Sequence, residues 1–126
     1  MNTEEFDEVV NFRKRQISEI LINKAKEYSV NGDRLHNFNV ASRIMNQSRE
    51  KCLIGFMMKH FVSIMDMVDN FEPNNPDTVP TKYLIEEKIG DAVNYLVLLE
   101  ACFKDRIQSQ VQLEKELKPT MKQFVP

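Results

Sequence analysis

The chain has 126 residues, 42% of them hydrophobic and 29% charged, enough for one domain with its own core and too few for two. Such a composition excludes a disordered chain, and no apolar run approaches the length that crosses a bilayer. The formal net charge of −2 also argues against a general nucleic-acid binder, which should be basic overall.

The charge is unevenly spread. Residues 11–60 carry ten Lys/Arg against four Asp/Glu, a net of +6, and residues 61–103 carry two against eight, a net of −6. Helix pairing between the halves accounts for much of this pattern, and an acidic half is also able to hold a cation while a basic half meets phosphates. The acidic start (Glu4, Glu5, Asp7, Glu8) is the reverse of a signal peptide, so the expectation is a soluble protein in the cytoplasm of its cell.

In chain order, Phe6, Val9, Val10, Ile17, Ile20, Leu21, Ala25 and Tyr28 recur at a helical period, behind an Asn2/Glu5 capping box. The turn residues Ser29 to Asp33 end that helix near Tyr28. Phe38, Ala41, Ile44 and Met45 mark a short second helix. Ser48 caps a third that runs to about Phe71 and is apolar around most of its circumference, as a central helix is. Pro73, Pro76 and Pro80 make the next segment a loop. A fourth helix is predicted from about Thr81 to Phe103, then a weaker polar one from Arg106 to Leu117, and a tail from Pro119 that includes Met121, Phe124 and Val125. The fold class is therefore all-α, a bundle of four to five helices spanning residues 1–118 with a short tail, 119–126. Cys52 and Cys102 lie within predicted helices and read as small core residues. His36 and His60 are too far apart for a zinc motif.

Two polar stripes interrupt the apolar helices. On the fourth, Glu87, Asp91 and Asn94 stand at i, i+4 and i+7, on one face and partly inside an apolar run. A buried carboxylate demands a cation or several donors, and two carboxylates a turn apart beside an amide suit a hard ion such as Mg²⁺. On the third, Lys59, Ser63, Asp66 and Asn70 repeat the spacing, with Gly55 a turn earlier leaving room. Facing each other, the stripes would wall a polar pocket. The bland alternative is an inert network in which Lys59 pairs with Asp91 or Glu87. A third constellation, Asp33 to Phe38, offers Arg34 for a phosphate, His36 and Asn37 for a base or sugar, and Phe38 for stacking. Its bland reading is a cap at Asp33 or Asn37, with Leu35 and Phe38 as core anchors.

The segments Lys26-Glu27-Tyr28, Asp33 to Phe38, Lys59-His60 with Ser63 and Asp66, and Glu86 to Asp91 with Asn94-Tyr95 resemble a group of short phage-encoded proteins. These are similar to the all-α nucleoside triphosphate pyrophosphatases of the MazG and dimeric dUTPase superfamily. The resemblance covers roughly residues 20–103. It implies a bundle acting as a homodimer or homotetramer in a bacterial or phage-infected cell. It also implies Mg²⁺ held by carboxylates on two helices, for cleavage between the α- and β-phosphates of a nucleotide. Glu87 and Asp91 match one acidic pair. Asp66 is the sole carboxylate in this stretch of the preceding helix, where the pyrophosphatases carry a glutamate cluster.

Three readings follow. In a nucleotide phosphohydrolase, Asp66, Glu87 and Asp91 ligate Mg²⁺ and, with Lys59, form the catalytic set. Arg34, His36, Asn37, Lys59, Ser63 and Asn94 then bind the substrate. In a binding protein, the same residues hold a nucleotide or nucleotide signal without cutting it, which the missing glutamates favour. In a protein-interaction module, the stripes are structural and the basic first helix or the tail meets the partner. The first two readings need a small-molecule partner and neither membrane nor nucleic acid.

Overall fold

The computed structural model of the chain describes residues 1–27 and 29–122, and the side chains of all of these except 120–122. It is an all-α helical bundle. Helix α1, Thr3–Ile17, begins with the predicted capping box: the Glu5 amide donates to Asn2 Oδ1 at 2.9 Å, and the Glu5 carboxylate accepts from the Asn2 amide at 2.8 Å. The single helix expected as far as Tyr28 is not uniform. Past Ile17 the winding widens to a π-helix over Ser18–Asn23 and tightens to a 3₁₀-helix over Lys24–Glu27. Tyr28 lies outside the described residues.

Asn31 and Gly32 both take left-handed backbone (φ 54° and 76°), and the Asp33 amide closes the turn onto the Val30 carbonyl at 3.0 Å. Helix α2, His36–Met45, starts two residues before the predicted Phe38 and stops at Asn46, which is again left-handed. Ser48 caps α3, Arg49–Asp69, by accepting from the Lys51 amide. The proline-bearing loop forms one 3₁₀ turn at Pro76–Thr78.

The last helix corrects the sequence reading. Helix α4 is continuous over Lys82–Lys122, through the break expected near Arg106 and past Pro119. Nothing in residues 103–110 is a glycine or proline, so no residue there ends a helix, and a polar composition alone does not. The expected contributions of Met121, Phe124 and Val125 lie outside the described side chains.

Helices α3 and α4 run antiparallel, with Arg49 at the level of Cys102 and His60 at the level of Asp91. Between them and α2 sits the core: Leu35, Leu53 and Cys102, backed by Phe38, Tyr95, Leu98 and Leu99. Both cysteines are free and buried, as their apolar neighbours suggest. Helix α3 is central in position but not enclosed, since Met58, Val62, Met65 and Val68 are exposed. Helix α1 leans on α4 across an open groove of about 1,190 Å³ lined by Val9, Phe12, Ile85 and Ile89 among others. Gly90 marks the close approach: a side chain there would meet the Arg13 guanidinium, which donates to the Glu86 carbonyl at 3.2 Å. No described helix is long and apolar enough to cross a membrane.

Candidate functional site on the seam between α3 and α4

Of the α4 stripe, Asn94 is buried, Asp91 is partly buried against α3, and Glu87 is exposed. The residue that meets Asp91 from α3 is His60: its Nδ1 lies 3.4 Å from Asp91 Oδ2. The His60 ring is largely buried and packs on Tyr95, with ring centroids 5.0 Å apart. No hydrogen bond from another described residue reaches the Asn94 side-chain amide.

The α3 stripe does not face α4 squarely. Lys59, Asp66 and Asn70 are exposed, and Ser63, half-buried, turns its hydroxyl back to the Lys59 carbonyl at 3.0 Å. The physical reason is rotation. One residue along a helix is about 100° around it, so with His60 aimed at Asp91, Lys59 and the residues stacked with it point sideways. Of the facing walls expected from equal spacing, only Asp91 and Asn94 of α4 turn inward, with His60 opposite, while Glu87 and the α3 stripe lie at the rim. The inert network is not formed either. Among the described residues, neither Lys59 nor Glu87 has an ion-pair partner.

Glu87 is exposed one turn before Asp91, and Asp66 lies on the exposed flank of α3. Among the described residues, no three His, Cys, Asp or Glu side chains converge closely enough to cage a metal ion. Asp66, Glu87 and Asp91 therefore do not form a ready Mg²⁺ site within one chain, and no chemical step through the ion is derived from them.

In the Asp33–Phe38 segment, Asp33 accepts from the Leu35 amide at 2.9 Å and from the Asn39 side chain at 3.2 Å, organising the entry to α2. Leu35 and Phe38 join the core. Those contacts match the bland reading. Arg34 gives one Nη1 hydrogen to the Leu21 carbonyl at 2.9 Å, beside the widened π-turn. Its guanidinium carries five donors, so most of the fork stays open. His36 is half-buried and Asn37 exposed at the start of α2.

A second polar cluster went unseen in the sequence. Arg49 and Glu50, both buried, open α3 and reach α4. Arg106 grips Glu50 with two bonds, Nε to Oε1 at 2.6 Å and Nη2 to Oε2 at 2.8 Å. Arg49 donates to the Cys102 carbonyl at 2.8 Å and pairs with Asp105 at 2.9 Å. The Arg106 bonds, reinforced by Arg49, hold the Glu50 carboxyl down at about 2, against the opposing effect of its burial. An adjoining cavity of about 360 Å³ is lined by Asn39, Ser42, Arg49, Asp105, Arg106 and Ser109 among others. Two cations face two anions here, so the cluster is self-neutralising and reads as a clasp joining α3 to α4. Its signal, Ser48-Arg49-Glu50 at a helix start, is local, whereas its partners lie more than fifty residues away.

No family model, curated protein or solved structure matches the chain. The class that the fold and seam define is an all-α bundle with a polar interior wall on its longest helix.

Proposed function

We propose that this chain is a nucleotide-binding protein whose ligand sits along the α3–α4 seam. One observation carries the reading: the His60–Asp91 contact lies in a seam whose flanking charges, Lys59 and Glu87, have no ion-pair partners among the described residues. Charges that a purely structural network would have neutralised, Lys59 and Glu87, are left exposed at the rim of the seam. The resemblance of the Asp33–Phe38, Lys59–Asp66 and Glu86–Tyr95 segments to nucleotide pyrophosphatases supports the ligand class.

In this reading Lys59 and the open part of the Arg34 fork neutralise phosphate charge. His60, held beside Asp91 and against the Tyr95 ring, would offer a ring nitrogen to the ligand. Asn94 and Ser63 supply hydrogen bonds, and His36 and Asn37 contact base or sugar from the start of α2.

A second reading, an Mg²⁺-dependent pyrophosphohydrolase, is favoured by Glu87 and Asp91 standing one turn apart on α4. It requires Asp66 to share the same cation, which a single chain does not arrange. Calorimetry against a panel of nucleoside triphosphates, with and without Mg²⁺ and with product analysis, separates the two. Metal-independent binding without turnover, weakened at least about tenfold (1.4 kcal/mol) by Lys59→Ala, supports the binding protein. Release of pyrophosphate that Asp91→Asn abolishes supports the enzyme. No binding and no turnover with any nucleotide removes both.

A further inference from the structure

We infer that the cavity where α2, α3 and α4 meet is a binding site for a small, polar α-amino acid, held as its zwitterion. The first observation is the lining. Asn39 and Ser42 of α2, Arg49 of α3, and Asp105, Arg106 and Ser109 of α4 surround about 360 Å³, with Gln110 completing the set. Every described side chain that lines it is polar or charged, and three helices converge to supply them. The volume is at the small end of ligand pockets, and an apolar ligand would find no surface to bury against.

The second observation is what the clasp leaves over. Arg49, buried, donates to Glu50 Oε1 and Asn39 Oδ1, each at 3.3 Å, and to the Cys102 carbonyl, and it pairs with Asp105 Oδ2. Arg106 gives Nε and one Nη2 hydrogen to Glu50, so both Nη1 hydrogens have no described partner. Asp105 meets Arg49 through Oδ2, and its Oδ1 has no described partner. The Ser42 and Ser109 hydroxyls donate to the Gln47 and Asp105 carbonyls, which leaves both oxygens able to accept. The Asp105 and Arg106 side chains are each about half exposed, so a ligand reaches them from solvent.

The third observation is charge. Arg49 and Arg106 balance Glu50 and Asp105, so a lone anion or a lone cation meets little net field. What remains is polarity: open donors on Arg106 and an open acceptor on Asp105, both in the lining of one cavity. A zwitterion matches that pattern. Its carboxylate accepts from Arg106 Nη1 and its ammonium donates to Asp105 Oδ1. Ser42, Ser109 and Gln110 then meet a hydroxyl or amide on its side chain. A nucleotide would instead set several negative charges against Asp105 and Glu50. The site is also separate from the seam, because Asp105 lies fourteen residues after Asp91, or about 21 Å along α4.

Titration calorimetry on the full chain tests this, with circular dichroism to check that each variant folds. The probes are the free L-α-amino acids, with glycerol and inorganic phosphate as controls. At least one amino acid with a hydroxyl or amide side chain should bind with a Kd of about 1 mM or tighter. Its N-acetyl and carboxamide derivatives, each lacking one of the two charges, should bind at least about tenfold more weakly. Asp105→Asn should weaken the free amino acid by a similar factor and leave the N-acetyl derivative unchanged, since only the ammonium contact is lost. Ser109→Phe, at an exposed helical position in the lining, should fill the cavity and abolish binding. No binding by any amino acid would overturn the inference. So would binding of glycerol or phosphate alone, a derivative as tight as its parent, or binding indifferent to Ser109→Phe.

Discussion

Arg106 holds Glu50 through two parallel bonds of 2.6 and 2.8 Å, across fifty-six residues of sequence. This fork joins the first turn of α3 to the middle of α4 and sits beside the core residue Cys102. Glu50 is buried and the Arg106 side chain half-exposed, so losing Arg106 would leave a buried carboxylate without its main partner.

Acid should therefore loosen the bundle in a defined window. The Glu50 carboxyl is lowered from 4.5 to about 2 in the fold. A depressed carboxylate contributes its full stability above the unfolded value and loses it as pH falls towards the folded one. Denaturant melts of the wild type should weaken progressively from about pH 5 down to about pH 2. Glu50→Gln should lower stability at pH 7 by about 2 kcal/mol and show a flatter acid limb. An acid limb identical in both proteins would contradict this assignment.

Leu53 is completely buried at the centre of the α2–α3–α4 core. Leu53→Ala should cost about 3 kcal/mol, from lost transfer energy and the cavity it leaves. Urea unfolding checks it, and a loss below about 1 kcal/mol would mean that the site collapses or is not the core.

Gly55 behaves in the opposite way. A methyl group added there meets nothing within 4 Å, and the residue lies inside a long helix. Gly55→Ala should raise stability by up to about 1 kcal/mol through helix propensity alone. If nucleotide binding falls while stability rises, the open space beside Gly55 belongs to the ligand.

Cys52 and Cys102 are free and buried, and desolvation pushes the Cys102 thiol up. Neither should react with a thiol reagent in the native state, and both should react in denaturant. Rapid native labelling of either would place it nearer solvent than the fold does.

The elements were legible because their signals are local. Asn2 with Glu5, Ser48 and the three prolines of the 73–80 loop act within a turn of where they sit, and each has the role its residue type predicts. The π-turn at Ser18–Asn23 carries no such mark, and the polarity of residues 104–118 concealed a helix that composition does not interrupt. In the seam, spacing correctly put Glu87, Asp91 and Asn94 on one face. It could not set the rotation of α3 about its own axis, which tertiary packing of Leu53 and Met57 decides. That rotation promotes His60 over Lys59 as the partner of Asp91. The Arg49–Glu50–Arg106 clasp was invisible for a related reason, since long-range pairing leaves no local period.

The proposed nucleotide would occupy the α3–α4 seam. Amide chemical-shift mapping of the full chain during titration with a nucleoside triphosphate tests it residue by residue. The largest changes should fall at Lys59 to Ser63 and Glu87 to Tyr95, and should vanish in Lys59→Ala with Asp91→Asn. Saturation with no change there, or changes confined to the cavity around Asn39, Arg49 and Arg106, would contradict it.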